Sequence, residues 1–200
     1  INASGSSINT IVFSVDNIHV EGSHDTILRV LSRLVQEGKI LRIQNSIYYK
    51  PEFNRFLKGR PVPPDVNEVI KVISNRNKET LQIHGSSAVN KLGLSTQVPL
   101  TKVFYTNGPS REVIIAGTRV KFIHTENQNI LQASGTEVGM ALSALIFLGR
   151  EHVDQEVVRQ VKSRLSENHF KRLKRMQMSS WLKERLSEPA VKESSYALAG

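Results

Sequence analysis

Pro61, Pro63 and Pro64 crowd into four positions of the run Lys58-Gly-Arg-Pro-Val-Pro-Pro-Asp65. Proline has no amide hydrogen and pushes the residue before it out of the helical region, so neither a helix nor an interior strand continues through this run. The run therefore divides the 200-residue chain at about residue 60, into segments 1–60 and 61–200. A hydrophobic content of 39% gives each segment material for a core and excludes a wholly disordered chain. The longest apolar stretch, Val138 to Leu148, is about half of what a bilayer span needs, so no membrane segment is expected. No secretory leader is read at the start of the sequence. The absence of cysteine excludes a disulfide framework, thiolate metal sites and cysteine catalysis, and suits a reducing, cytoplasmic setting.

In the first segment, Ser23 is a good N-cap for a helix over His24 to Glu37, which Gly38 closes. Ile27, Leu28, Leu31, Leu34 and Val35 recur on one face of a 3.6-residue period. A hairpin follows, with strands Ile40–Ile43 and Ile47–Lys50 about a polar tip, Gln44-Asn45-Ser46. Before the helix, Val15 to Val20 suggests a short helical turn, and residues 1–12 are rich in Ser and Asn without helical period. In the second segment the pattern predicts a helix over Val66–Ser74, a strand at Leu81–Ile83 and a helix over Ser86–Leu92. Strands at Val98–Thr106, Glu112–Ile115 and Thr118–His124 come next, then helices at Glu137–Leu148, Val153–Leu165 and His169–Leu186. The residues from Glu188 onward are expected to fray. The fold class is α+β.

Lys and Arg total 27 against 18 acids, a formal charge of +9, which favours a polyanionic partner or an acidic protein surface. On the helix over 24–37, Thr26, Arg29 and Arg33 lie opposite the apolar stripe, and the arginines are one turn apart. Arginine suits bidentate contact with guanine or phosphate, and threonine suits either. Lys39 and Arg42 on the hairpin, with Gln44 and Asn45 at its tip, complete a recognition-helix-and-wing arrangement that would hold DNA. An ordinary solvated helix face would show the same spacing. A second basic run, Lys171, Arg172, Lys174 and Arg175, would meet an acidic partner or phosphate, or form the solvated flank of a core-packed helix. Trp181 reads as a packing anchor.

The segment Ile27-Leu-Arg-Val-Leu-Ser-Arg-Leu-Val-Gln-Glu-Gly-Lys-Ile-Leu-Arg-Ile43, running into Ser46-Ile-Tyr-Tyr-Lys-Pro51, resembles the winged helix of AbiEi-type antitoxins. His84-Gly-Ser-Ser-Ala-Val-Asn-Lys-Leu-Gly-Leu-Ser-Thr-Gln-Val-Pro99 and Val103-Phe-Tyr-Thr-Asn-Gly-Pro-Ser-Arg111 are similar to the core of the same family. The resemblance spans about residues 11–187. It implies a winged helix-turn-helix domain over 1–60 that represses its own operon by binding operator DNA. It also implies an α+β antitoxin domain over 61–200 that counteracts a nucleotidyltransferase-like toxin of a type IV toxin–antitoxin, or abortive infection, system. This chain differs at the wing tip, where many relatives carry a basic residue and a glycine. The first helix of a winged domain is also not evident in residues 1–12. The alternative is a plain winged-helix transcriptional regulator whose second domain binds a ligand or dimerises.

The residues argue against an enzyme. The six histidines show no H-x-H, H-x-x-x-H or H-E-x-x-H spacing. Gly85-Ser86 invites comparison with nucleotidyltransferases, but no aspartate occurs between Asp65 and Asp154 to supply the Mg²⁺-binding pair. Phosphate-binding glycine loops and a G-x-S-x-G elbow are also missing. Neither a cofactor nor a metal is expected.

Overall fold

The computed structural model describes residues 10–18, 20, 22–53 and 59–188, and the fold over them is α+β with two sheets. The chain forms two compact units. The first runs to Glu79 and takes in Glu112–Val120; the second comprises Thr80–Arg111 and the chain from Lys121.

The first unit starts with strand β1 (Val12–Ser14), followed by a single 3-10 turn at Val15–Asn17. Helix α1 (His24–Gln36) begins where the Ser23 hydroxyl accepts the Thr26 amide. Strands β2 (Leu41–Gln44) and β3 (Ile47–Tyr49) form the hairpin after it. Both neighbours of β3 run antiparallel to it, in the order β1-β3-β2. As the middle strand, β3 buries all three residues, Ile47, Tyr48 and Tyr49. Leu31 of α1 packs with Val15, Ile40 and Tyr48, and Ile27, Leu28, Leu34 and Val35 close around that cluster. Each such side chain, fully buried, contributes roughly 1.5–3 kcal/mol, which is why the apolar stripe fixes the face that α1 turns inward. The strand β1 was not expected from the sequence. Its Val12-Phe-Ser is too short to show a period, and pairing with β3 is what extends it.

Helix α2 (Val66–Asn77) starts at Asp65, whose carboxylate accepts the amides of Asn67 and Glu68 at 2.8 and 3.1 Å. It packs against β1. The proline run thus precedes a helix that belongs to the first unit, and the compact division falls at 79/80 where the sequence suggested about 60. Prolines end an element; they do not decide which neighbour the next element packs on.

The second unit contains β4 (Leu81–Ile83), α3 (Gly85–Lys91) and β5 (Lys102–Thr106); strand β6 (Arg111–Ile115) is grouped with the first unit from Glu112 on, and β7 (Thr118–His124) passes from the first unit to the second after Val120. The sheet order is β4-β5-β7-β6. Five helices follow: α4 (Gln128–Leu131), α5 (Glu137–Leu148), α6 (Gln155–Arg164), α7 (Glu167–Arg175) and α8 (Ser180–Ser187). Helix α5 is the hub, with Val138, Ala141, Leu142, Ala144 and Leu145 fully enclosed. It crosses α3 so closely that a Cβ on Gly85 would lie 2.0 Å from the Phe147 Cβ. Trp181 is half-buried and packs on this core.

Three sequence expectations need correction in this unit. The strand expected from Val98 begins only at Lys102; Pro99 lacks a ladder donor, and Val98 and Leu100 are exposed. The helix expected over His169–Leu186 is two helices, α7 and α8, broken at Met176–Ser179. There the Gln132 side chain donates to the Gln177 carbonyl at 2.8 Å and accepts its amide at 3.0 Å, replacing helical bonds with a side-chain pair. The short helix α4, capped by Asn127, was not expected. The missing first helix sought in residues 1–12 and the fraying tail after Glu188 fall largely on 1–9 and 189–200, outside the described residues. Among the described residues no helix is long and apolar enough to cross a membrane.

Candidate nucleic-acid interface

Because Leu31 anchors α1 inward, residues two positions away on either side turn outward: Arg29 and Arg33 are both exposed. Thr26 is exposed one turn earlier, and its hydroxyl lies 3.0 Å from that of Ser23, so it serves the helix cap as well as the surface. No ion pair or hydrogen bond engages the Arg29 side chain among the described residues. Arg33 is 68% exposed, with its Nε 3.9 Å from the Glu37 carboxylate.

The hairpin brings further cations beside the helix end. Lys39 Nζ lies 2.8 Å from the Glu37 carboxylate. That hydrogen bond and charge hold the Glu37 carboxyl below its ordinary range. Arg42 is exposed but curls onto its own hairpin: its Nη2 donates to the Asn45 side-chain oxygen at 2.9 Å and its Nε to the Gln44 carbonyl at 3.4 Å. Gln44 is half-buried and Asn45 exposed. The tip turns through Ser46, whose φ of 62° lies in the left-handed region. The expected residues of helix and wing thus share one unit, although Arg42 and Asn45 bond to each other first.

Arg76 and Asp16 completed this arrangement without any sequence signal. Arg76 on α2 donates to the Asp16 carboxylate at 3.1 Å and to the Asn45 carbonyl at 3.1 Å. Partners 60 and 31 residues away leave no local pattern to read. Glu37 was readable as the i+4 partner of Arg33.

In the second unit, Lys171, Arg172, Lys174 and Arg175 are all exposed on α7, opposite the buried Phe170 and Leu173. Lys171 is paired with Glu167 at 2.6 Å. Four histidines do separate structural work. His84 caps α3, accepting the Ser86 amide at 3.2 Å through Nδ1. His124 meets the Gly108 carbonyl at 2.9 Å, His152 the Leu148 carbonyl at 3.1 Å, and His169 the Glu137 carboxylate at 3.1 Å. Among the described residues no three His, Asp or Glu side chains gather as a metal site requires.

Residues 5–173 match the model of a family of unknown function, DUF6088. The chain belongs to the DUF6088 family. The match takes in the helix-and-hairpin unit and the second unit as far as residue 173, within α7. Comparison of this DUF6088 chain with curated proteins and with solved structures gives no match.

Proposed function

We propose that this DUF6088 chain is a DNA-binding antitoxin: its first unit is a winged helix that occupies operator DNA, and its second unit counteracts a nucleotidyltransferase-like toxin. The observation that carries the DNA reading is the exposure of Thr26, Arg29 and Arg33 on the side of α1 opposite Leu31. A helix of 13 residues is about 20 Å long, and the major groove, about 12 Å wide, admits one. Thr26 and the two arginines would address base edges and phosphates, while Lys39, Arg42, Gln44 and Asn45 would follow the flanking backbone. The order β1-β3-β2, with α1 directly before the hairpin, is the connectivity a winged domain uses.

The antitoxin role is supported by the AbiEi-like segments around Ile27–Pro51 and His84–Arg111. The exposed cations of α7, Lys171, Arg172, Lys174 and Arg175, are the surface offered to an acidic toxin. Two measurements test the reading. The full chain should bind a duplex from upstream of its own gene more tightly than a scrambled duplex of the same length. Co-expression should relieve the toxicity of an adjacent nucleotidyltransferase-like gene. Equal affinity for both duplexes would refute operator recognition, and unrelieved toxicity would leave a DNA-binding regulator.

A further inference from the structure

Glu37 stands where a negative charge has little reason to be. It is the C-cap of α1, the end at which the helix dipole already presents unpaired carbonyls and disfavours a carboxylate. It also lies beside the cations that the DNA reading assigns to phosphate. Its two oxygens divide between them: Oε2 is 2.8 Å from Lys39 Nζ, and Oε1 is 3.9 Å from Arg33 Nε. Attraction to Lys39 and, as an i,i+4 pair, to Arg33 offsets that unfavourable end. The backbone supports the convergence. Gly38, at φ 68°, reverses the chain after α1, and the Lys39 amide donates to the Leu34 carbonyl at 2.9 Å, which brings the first residue after the turn back over the helix end.

An anionic oxygen pair held by one lysine and one arginine has the charge and donor requirements of a phosphodiester. From this geometry we infer that Arg33 and Lys39 form a backbone-phosphate site on the DNA-binding face, and that the Glu37 carboxylate occupies it in the free protein and is displaced by duplex DNA. This rests on the DNA-binding reading and deepens it, because it names the groups that take the phosphate and the residue that regulates them. The physical consequence is a threshold. A non-specific duplex must first break two ion pairs to gain one phosphate contact, whereas a duplex that also engages Arg29 and the wing does so with additional contacts in hand. Glu37 thereby lowers affinity for arbitrary sequence more than affinity for the operator, a repulsive element of the kind that specific binders use. Exposed ion pairs exchange readily, so the occupant is easily displaced.

The test is fluorescence anisotropy with the full chain and a labelled 20-base-pair duplex of arbitrary sequence, titrated between about 50 and 200 mM salt, the range over which phosphate contacts separate most clearly. Glu37→Gln should raise affinity on the order of tenfold at the low-salt end. It should also steepen the slope of log K against log salt by about 1, since the one newly available phosphate contact adds roughly −0.9. Glu37→Asp, one methylene shorter and still charged, should give a smaller rise. Glu156→Gln on α6 removes the same charge in the second unit and should leave affinity and slope unchanged. A tighter Glu37→Gln variant with an unaltered slope, or an equal gain from Glu156→Gln, would overturn the proposal by reducing it to net charge. So would wild type and Glu37→Gln binding alike. If neither the wild type nor any variant binds duplex, the DNA reading itself has failed and the phosphate site falls with it.

Discussion

The Arg76 guanidinium reaches from α2 to the β2–β3 hairpin tip and donates to the Asn45 carbonyl at 3.1 Å, with its Nε on the Asp16 carboxylate at the same distance. One side chain thus joins the second helix, the turn after β1 and the loop between β2 and β3. Asn45 is held from its other side by Arg42, so the tip is tied down at both its backbone and its amide.

Arg76→Ala should therefore cost about 1–2 kcal/mol in urea unfolding, the sum of one charge-assisted hydrogen bond and one partly exposed ion pair. Arg76→Lys should recover less than half of it, because an ammonium cannot fork between two acceptors as a guanidinium does. Amide exchange at Asn45 and Ser46 should quicken in Arg76→Ala while amides of α5 keep their protection. Uniform acceleration across the chain would show that Arg76 supports the whole fold and not the hairpin tip alone.

Among the non-glycine residues in the left-handed region are half-buried Ser46, at φ 62° in the β2–β3 turn, and exposed Lys78, at φ 54° as the C-cap of α2. Glycine adopts this conformation without the Cβ clash and is the usual residue where a helix ends this way. Ser46→Gly and Lys78→Gly should each raise the unfolding free energy by about 0.5–1 kcal/mol. A loss of stability at either position would contradict the backbone assignment there.

Gly85 presents the opposite case. An added Cβ would lie 2.0 Å from the Phe147 Cβ and 2.8 Å from the Ser143 carbonyl oxygen, and the latter is backbone and cannot swing aside. Gly85→Ala should destabilise by about 3 kcal/mol, the upper part of the range for overpacking. Phe147→Ala in the same chain should restore little of it, since alanine keeps the Cβ that lies 2.0 Å away and the carbonyl contact also persists. A Gly85→Ala variant with wild-type stability would mean that α3 and α5 are not packed this closely.

Burial lowers the His84 pKa, and its Nδ1 accepts the Ser86 amide, so the folded protein favours the neutral ring. The unfolded chain takes up this proton near the ordinary value of about 6.5. The contribution of His84 is thus fully present above that value and is lost as pH falls from it towards the lower folded pKa. His84→Asn, which keeps a capping acceptor without the titration, should show a shallower fall in stability between about pH 7 and 5 than the wild type. Parallel curves for the two proteins would refute this role.

Much of the first unit was readable in the sequence because it obeys local rules. Ser23 and Gly38 mark the ends of α1, the stripe from Ile27 to Val35 fixes its inward face, and the outward position of Arg29 and Arg33 follows by geometry. What escaped is long-range. β1 extends because β3 pairs with it, and α2 joins the first unit because it packs on β1. The break between α7 and α8 depends on the Gln132 amide, 45 residues from Gln177, and the clamp at Asn45 on an arginine 31 residues away. Among the site residues, type and exposure were legible in the pattern. Engagement was not: Lys39 and Arg42 looked like free phosphate ligands, yet one pairs with Glu37 and the other with Asn45.

The most direct measurement is the binding of the Arg29→Ala/Arg33→Ala double variant to duplex DNA. Both side chains are exposed and opposite Leu31, so the variant should fold with the wild-type thermal midpoint. The account predicts wild-type binding that weakens steeply with salt, and a double variant whose salt slope is shallower by about 2 and whose preference for the upstream duplex is gone. A folded double variant that binds the same duplex with the same affinity and the same salt slope would contradict it.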